Sequence, residues 1–378
     1  MGGESMMNHE GPIPEALGMD SDRLARVYRF LDEATAQGRL PAAAILVARR
    51  GVALPIRAFG RQYLTPDSPP ARPDTIFLTA SITKPVTVTA VMLLVERGAL
   101  LLDDPVASVI PEFAANGKEQ VTIRHLMTHT SGLPDMLPED RQLRAAHAPL
   151  SEFVRRICQL PLAFAPGTNV SYQSCGTAIL GAIVEQIAGV ALREFLRGEL
   201  FDPLGMKDTA LGAQGLDESR IAHVNVDAEM RGQDWGWNTP YWWRFCAPWG
   251  GMFSTVSDLF RFVQMFLNRG EHEGARLLSP ATVQAMLSDQ TAHMPQIPPT
   301  VRATQVWGLG WRRQPPGEWS FWGNLLSPGS FGHGGATGTV LWADPQRELA
   351  CALLTTQPSA MSGGLLGRCS NLVAAATT

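Results

Sequence analysis

Ser81-Ile82-Thr83-Lys84-Pro85, running into the apolar stretch 86–97 and closed by Gly98, is the segment on which the reading of this chain turns. Proline is tolerated in a helix only in its first turn, so Pro85 places a helix start just before it, near Ser81. Residues three apart share a helix face, which brings the Ser81 hydroxyl within reach of the Lys84 amine. A serine hydroxyl needs a nearby base to act as a nucleophile. A lysine buried at a helix N-terminus can become one, because burial and the positive helix end both disfavour the ammonium. The spacing alone is not decisive. With 20 serines and three lysines in 378 residues, random placement would give about 0.16 such pairs. A capping serine followed by a solvated lysine would read the same way.

Two further segments stand downstream. In Phe164-Ala-Pro-Gly-Thr-Asn-Val-Ser-Tyr172-Gln-Ser174-Cys175, a tyrosine sits between a Pro-Gly turn and an apolar run, where its hydroxyl could point into a cleft or simply into water. Gly332-His333-Gly334-Gly335-Ala336 precedes a strand-like stretch. Its glycines would let a substrate approach the backbone closely, and an N–H at that edge could face an oxyanion; a plain glycine-rich turn is the other reading. The basic residues add a hint. Of 31, only Lys84, Lys118 and Lys207 are lysine, so the chain uses arginine almost wherever a fixed positive charge will do.

Working outward, residues 22–37 predict an amphipathic helix with Leu24, Val27, Leu31 and Ala34 on one face. Residues 42–48 and 52–59 predict two strands joined at Arg50-Gly51, and 64–74, with four prolines, a loop. Helical patterns follow at 86–97, 123–128, 150–160, 176–188, 192–200, 256–268 and 280–288. Strands are expected at 306–312, 319–323, 337–343 and 349–355, with a closing helix at 365–375. Strands at both ends and helices between predict an α/β (α+β) fold: one antiparallel sheet flanked by helices, plus a largely helical inserted domain. The expected division is a tail at 1–20, an α/β domain from 21–75 and 290–378, and a helical domain at 76–289 that includes an irregular, Trp-rich loop at 213–250.

Composition narrows the function classes. The chain is 45% hydrophobic and 17% charged, enough to bury a core, and its net charge of −4 gives no reason to expect nucleic acid or an anionic membrane as a partner. No run of about 18 apolar residues is present, and residues 1–20 lack the basic and apolar regions of a signal peptide. Five cysteines without a CxxC pair fit reduced thiols, so a cytoplasmic location is expected. His125 and His129 have the i, i+4 spacing of zinc ligands, but no glutamate stands between them as in HExxH and no third ligand suggests itself. No GxSxG is present, which disfavours the nucleophile elbow of α/β-hydrolases.

Taken in order, the three segments resemble the serine β-lactamase and penicillin-binding protein superfamily, most like class C β-lactamases and family VIII carboxylesterases. The likeness extends over about residues 22–357 and includes Thr122-Ile-Arg-His-Leu-Met-Thr-His-Thr-Ser-Gly-Leu-Pro134, Asp202-Pro-Leu-Gly-Met-Lys-Asp-Thr209 and Gly250-Gly-Met-Phe-Ser-Thr-Val-Ser-Asp-Leu259. The resemblance implies the β-lactamase-like fold, with Ser81 as acylated nucleophile, Lys84 and Tyr172 as joint general base and acid, and the backbone N–H groups of Ser81 and Ala336 as oxyanion hole. His333-Gly334-Gly335 stands where the family has Lys-Thr-Gly. Asp135 and Ser174 are expected substrate contacts. No cofactor or metal is implied, and the expected partner is a small-molecule ester.

Two departures tilt the expectation from β-lactams toward esters. The family's Tyr-x-Asn is Tyr172-Gln173-Ser174 here, and serine cannot reach as far as asparagine toward an amide side chain. The carboxylate-binding lysine is His333, largely neutral at pH 7. Five tryptophans fall between residues 235 and 249. Trp243 among them is a candidate wall of an acyl or alcohol pocket, although packing of the loop onto the body explains the cluster equally well. The expectation is a short-chain carboxylesterase. A class C-like β-lactamase, a DD-peptidase, an acyltransferase and a non-catalytic binding protein are the alternatives.

Overall fold

The computed structural model describes residues 12–65, 67–315 and 322–378. Its central feature is a seven-stranded sheet in the order Val52–Ala53, Ala42–Arg49, Leu349–Thr355, Thr339–Asp344, Phe331–Gly335, Arg312–Arg313, with Arg57–Gly60 also paired to Ala42–Arg49. Strands from the two chain ends meet antiparallel, in a register running from Ala43 opposite Thr355 to Arg49 opposite Leu349. The expected antiparallel sheet built from both chain ends is therefore present, beside a smaller three-stranded sheet of Phe77–Leu78, Met252–Ser254 and Ala210–Leu211 and a two-stranded pair, Glu271–His272 with Ala275–Arg276.

All eight residues of Ala42–Arg49 are buried, because both sheet faces are covered. Side chains alternate across a strand. Accordingly Ala42, Ala44, Leu46 and Ala48 enter one core and Ala43, Ile45 and Val47 the other. The second core is closed by the helix Ser21–Ala36, through Leu24, Val27, Leu31 and Ala34, and by the helix Leu365–Ala375. Residues 12–20 are not a trailing tail throughout. Leu17 and Met19 pack into this core, Met19 bridges to Thr377, and the Asp20 carboxylate caps the first helix by accepting from Arg23 N–H at 2.9 Å.

The first core runs unbroken from the sheet into the helical part, so the two regions share one interior. At its centre lies the helix Thr83–Glu96, with 12 of 14 residues buried; its buried Thr83, Lys84, Thr87 and Thr89 all have hydrogen-bond partners. The helix Ser174–Ala188 packs against it, while Val256–Leu267 covers the sheet across Leu349–Thr355 and Ala42–Arg49. Among the described residues no single helix is long and apolar enough to cross a membrane.

Several local expectations are corrected. The stretch 52–59 is broken into Val52–Ala53 and Arg57–Gly60, because Pro55 has no N–H for the ladder. Residues 192–200 form a short α-helix, Leu192–Leu196, that passes into a π turn, Arg197–Phe201. In 306–312 only Arg312 belongs to a strand, Arg312–Arg313. The strand expected at 319–323 falls largely outside the described residues. Phe331–Gly335, for which a glycine-rich turn is one of the two readings, is a full strand. Three glycines lower its intrinsic strand preference, and pairing with Thr339–Asp344 overrides this.

Lys118, which has no evident role in the sequence, is a buried staple. Its ammonium donates to the carbonyls of Ala115, Cys158 and Leu160 and lies 5.3 Å from the Phe113 ring centroid. Three acceptors for three ammonium protons is a geometry that a planar guanidinium does not match.

Candidate active site

Ser81 lies on a 3-10 turn, Ala80–Ile82, that leads straight into the helix beginning at Thr83. The preceding Ala80 has φ of +49°, a left-handed conformation that costs a non-glycine residue about 1–2 kcal/mol. Threonine hydroxyls hold the turn there. Thr79 Oγ1 donates to Met252 O (2.9 Å), Thr337 Oγ1 to Leu78 O (2.7 Å) and Thr339 Oγ1 to Thr79 O (2.8 Å). The strand Phe331–Gly335 lies directly against this turn. A Cβ at Gly335 would overlap the Thr79 carbonyl oxygen and come within 3.2 Å of Ala80 Cβ. Glycine there is what lets the strand approach the Ser81 turn so closely.

Lys84 Nζ donates to Ser81 Oγ at 3.1 Å and to Trp249 O at 3.1 Å. It is 1% exposed. Burial pulls the amine down from 10.5 to about 7, with the Asp135 charge opposing the shift. The Tyr172 ring lies 4.6 Å from Lys84 Nζ, and its side chain lines the same cavity as Ser81. Burial pushes the phenol well above its usual value. At neutral pH the pair is therefore an intact phenol beside an amine that is about half deprotonated. The three residues named from the sequence meet at one point, from a helix start and from a loop 90 residues away.

Ser81 and Tyr172 open onto a cavity of about 930 Å³ that His333-Gly334-Gly335-Ala336 also lines. No hydrogen bond leaves the N–H of Ser81 or of Ala336 among the described residues, as two oxyanion donors require. His333 is buried, and burial together with the Lys84 charge lowers it to about 3. Its Nδ1 lies 2.7 Å from Gly334 O. The neutral ring must donate there, which leaves Nε2 as an acceptor. That Nε2 has no partner among the described residues, nor has Trp307 Nε1 beside it.

The remaining candidates lie elsewhere. Ser174 does not project into this cavity. Its hydroxyl and N–H both bind Asp135 Oδ1, at 2.7 and 2.9 Å, so Asp135 caps the helix Ser174–Ala188 and neither residue lines the pocket. Trp243 is also absent from the lining. Its indole N–H donates to Trp237 O at 3.0 Å and its ring packs on Phe253 and His223. Most of the neighbouring aromatics (Tyr241, Trp242, Phe245, Trp249) pack against one another, with Phe153 among them, which is the packing reading of the cluster. His125 Nδ1 is engaged by Thr122 and His129 Nδ1 by Gln173 N–H. Among the described residues no group of three or more His, Cys, Asp or Glu is arranged to hold a metal ion.

Sequence reading missed Trp307, Arg312 and Arg368, which line the cavity. Arg312 comes from a strand and Arg368 from the closing helix, and the Arg312 guanidinium donates to Gln305 Oε1 and Thr304 O. Arg312 stacks 5.4 Å from the Trp307 centroid and is lowered by burial to about 10. Nothing in their local sequence marks these residues; they come together only in three dimensions.

The sequence profile of the beta-lactamase family matches residues 27–368. The chain belongs to that family. Penicillin-binding protein 4 of Amycolatopsis lactamdurans is 32% identical over 297 residues, covering 75% of this chain and 72% of its own. Esterase EstB of Burkholderia gladioli is 40% identical over 211 residues, 52% of this chain and only 53% of the esterase, about half of that relative's length. A solved family VIII carboxylesterase superposes with a TM-score of 0.73 at 20% identity, covering 93% of this chain and 99% of that one. At that identity the likeness extends to the fold alone.

Proposed function

We propose that this protein is a serine carboxylesterase acting on short-chain esters through an acyl-enzyme on Ser81. The observation that carries the reading is the Ser81 hydroxyl 3.1 Å from a buried amine brought down to about 7, at the mouth of a cavity. In the first step Ser81 Oγ attacks the ester carbonyl carbon and its proton passes to Lys84 Nζ. The oxyanion forms against the N–H groups of Ser81 and Ala336. The carbon–oxygen bond to the alcohol then breaks, and the leaving oxygen takes a proton from Lys84 through the Tyr172 hydroxyl. Water enters, gives a proton back along the same path, attacks the acyl carbon and releases the acid, restoring Ser81.

The preference for esters rests on the esterase among the relatives, on Ser174 being engaged by Asp135, and on a neutral His333, which carries no charge to attract a carboxylate where the family's lysine would. Arg312 and Arg368 favour a second reading, a β-lactam or peptide substrate with a free carboxylate. Rates on p-nitrophenyl esters of increasing chain length, beside nitrocefin, separate the two. Short esters should be turned over at least 100-fold faster, and comparable rates would overturn the ester preference. Ser81→Ala should abolish turnover and labelling by a fluorophosphonate; residual labelling would remove Ser81 from its role.

A further inference from the structure

Tyr172 lies in a loop between Leu150–Cys158 and Ser174–Ala188, yet its hydroxyl must be held at hydrogen-bond distance from Ser81, about 2.6–3.2 Å, to relay a proton. Loops do not supply such precision by themselves. His129 grips this one on both sides of the tyrosine. Its carbonyl accepts from Ser171 N–H at 2.9 Å, and its ring Nδ1 accepts from Gln173 N–H at 3.2 Å. Its ring also packs on Tyr172 with centroids 4.7 Å apart, and edge-on to Trp307 at 4.3 Å.

This arrangement depends on unusual local structure. His129 has φ of +61° and is 3% exposed, a conformation that turns its carbonyl and ring toward the same strand of loop. The flanking chain is zipped to that loop, with Gly167 N–H donating to Thr130 O and Ala163 N–H to Gly132 O, both at 2.8 Å. Gln173 closes the other end, its amide donating to the carbonyls of His125 and Leu126 at 3.2 Å each.

We propose that His129 is the positioning residue for Tyr172, holding the phenol in register with Ser81 and Lys84 by clasping the main chain on either side of it. This rests on the proposed acyl-enzyme reading, and the test separates the two. His129→Phe keeps a ring but strands the Gln173 N–H. His129→Asn keeps an acceptor near the same place and tolerates the left-handed backbone, while losing the ring contact. Both are made in the native chain and in Tyr172→Phe, and kcat, KM and Tm are measured with p-nitrophenyl acetate.

Tyr172→Phe alone should lower kcat at least 100-fold. His129→Phe should lower kcat by about 10- to 100-fold with KM changed less than about twofold, and His129→Asn should lose less. In the Tyr172→Phe background either change should cost less than about twofold more, because the group being positioned is gone. Equal losses in both backgrounds, or native kcat in His129→Phe, would overturn the assignment. Full activity of Tyr172→Phe would instead sink the reading of Tyr172 itself, and the positioning role with it. If His129→Phe does not fold, the cycle is read with His129→Asn, whose smaller loss must likewise vanish.

Discussion

Replacing Lys84 by Met removes a titrating amine from the centre of the molecule and leaves an unbranched side chain of similar volume. The amine stands at about 7 in the folded chain against an ordinary 10.5. At about 1.4 kcal/mol per decade, that gap corresponds to about 5 kcal/mol between fully acid and fully alkaline conditions. Below pH 7 both the folded and unfolded chains hold the proton, and the buried ammonium is destabilising by the whole amount. Between 7 and 10.5 the unfolded chain holds the proton and the folded chain does not, so raising the pH favours folding. Integrated from pH 7 to pH 9, the native protein should gain about 2 kcal/mol of stability relative to Lys84→Met. Urea unfolding of both proteins at pH 6, 7, 8 and 9 measures this, because every other titration is shared and cancels in the difference. The same deprotonation should appear as an acid limb in kcat/KM with a midpoint near 7, present only in the native enzyme. A stability difference that stays flat from pH 6 to 9 would mean that Lys84 keeps an ordinary lysine affinity for its proton, and the base assignment would go with it.

Other perturbations test the frame around the site. Gly335→Ala forces a methyl against the Thr79 carbonyl and should push the strand off the Ser81 turn; we expect at least a 100-fold loss of kcat/KM, read with p-nitrophenyl acetate, together with a lower Tm. Lys118→Arg cannot match three carbonyls with a planar fork and should lower stability by about 3 kcal/mol in urea, while the activity per folded molecule stays native.

The chemistry was legible in the sequence wherever it is local. Ser81 and Lys84 share one helix turn, so their contact follows from spacing, and Pro85 marks where that turn begins. Leu24, Val27, Leu31 and Ala34 gave the first helix its buried face for the same reason, and the closing helix Leu365–Ala375 begins and ends where its pattern does. Tyr172 and the His333 strand were reached only through a resemblance spread over many segments, since nothing near them states what they face. Ser174 and Trp243 show the limit of such transfer. Each has a hydrogen-bonding group that finds a nearer partner, Asp135 in one case and Trp237 O in the other.

By itself, then, the sequence determined most of the helices, the sheet built from both chain ends, and the Ser81–Lys84 contact, all of which depend on periodicity or on residues within one helical turn. The tertiary structure decided the rest. It decided that Lys84 is buried deeply enough to lose its proton near neutrality, since desolvation depends on every residue packed around the amine. It decided that Lys118 is a staple rather than a surface charge, because its three acceptors come from segments 40 residues apart. And it decided that Arg312 and Arg368 line the same cavity as Ser81, because a cavity wall is assembled from elements that only the completed sheet brings together.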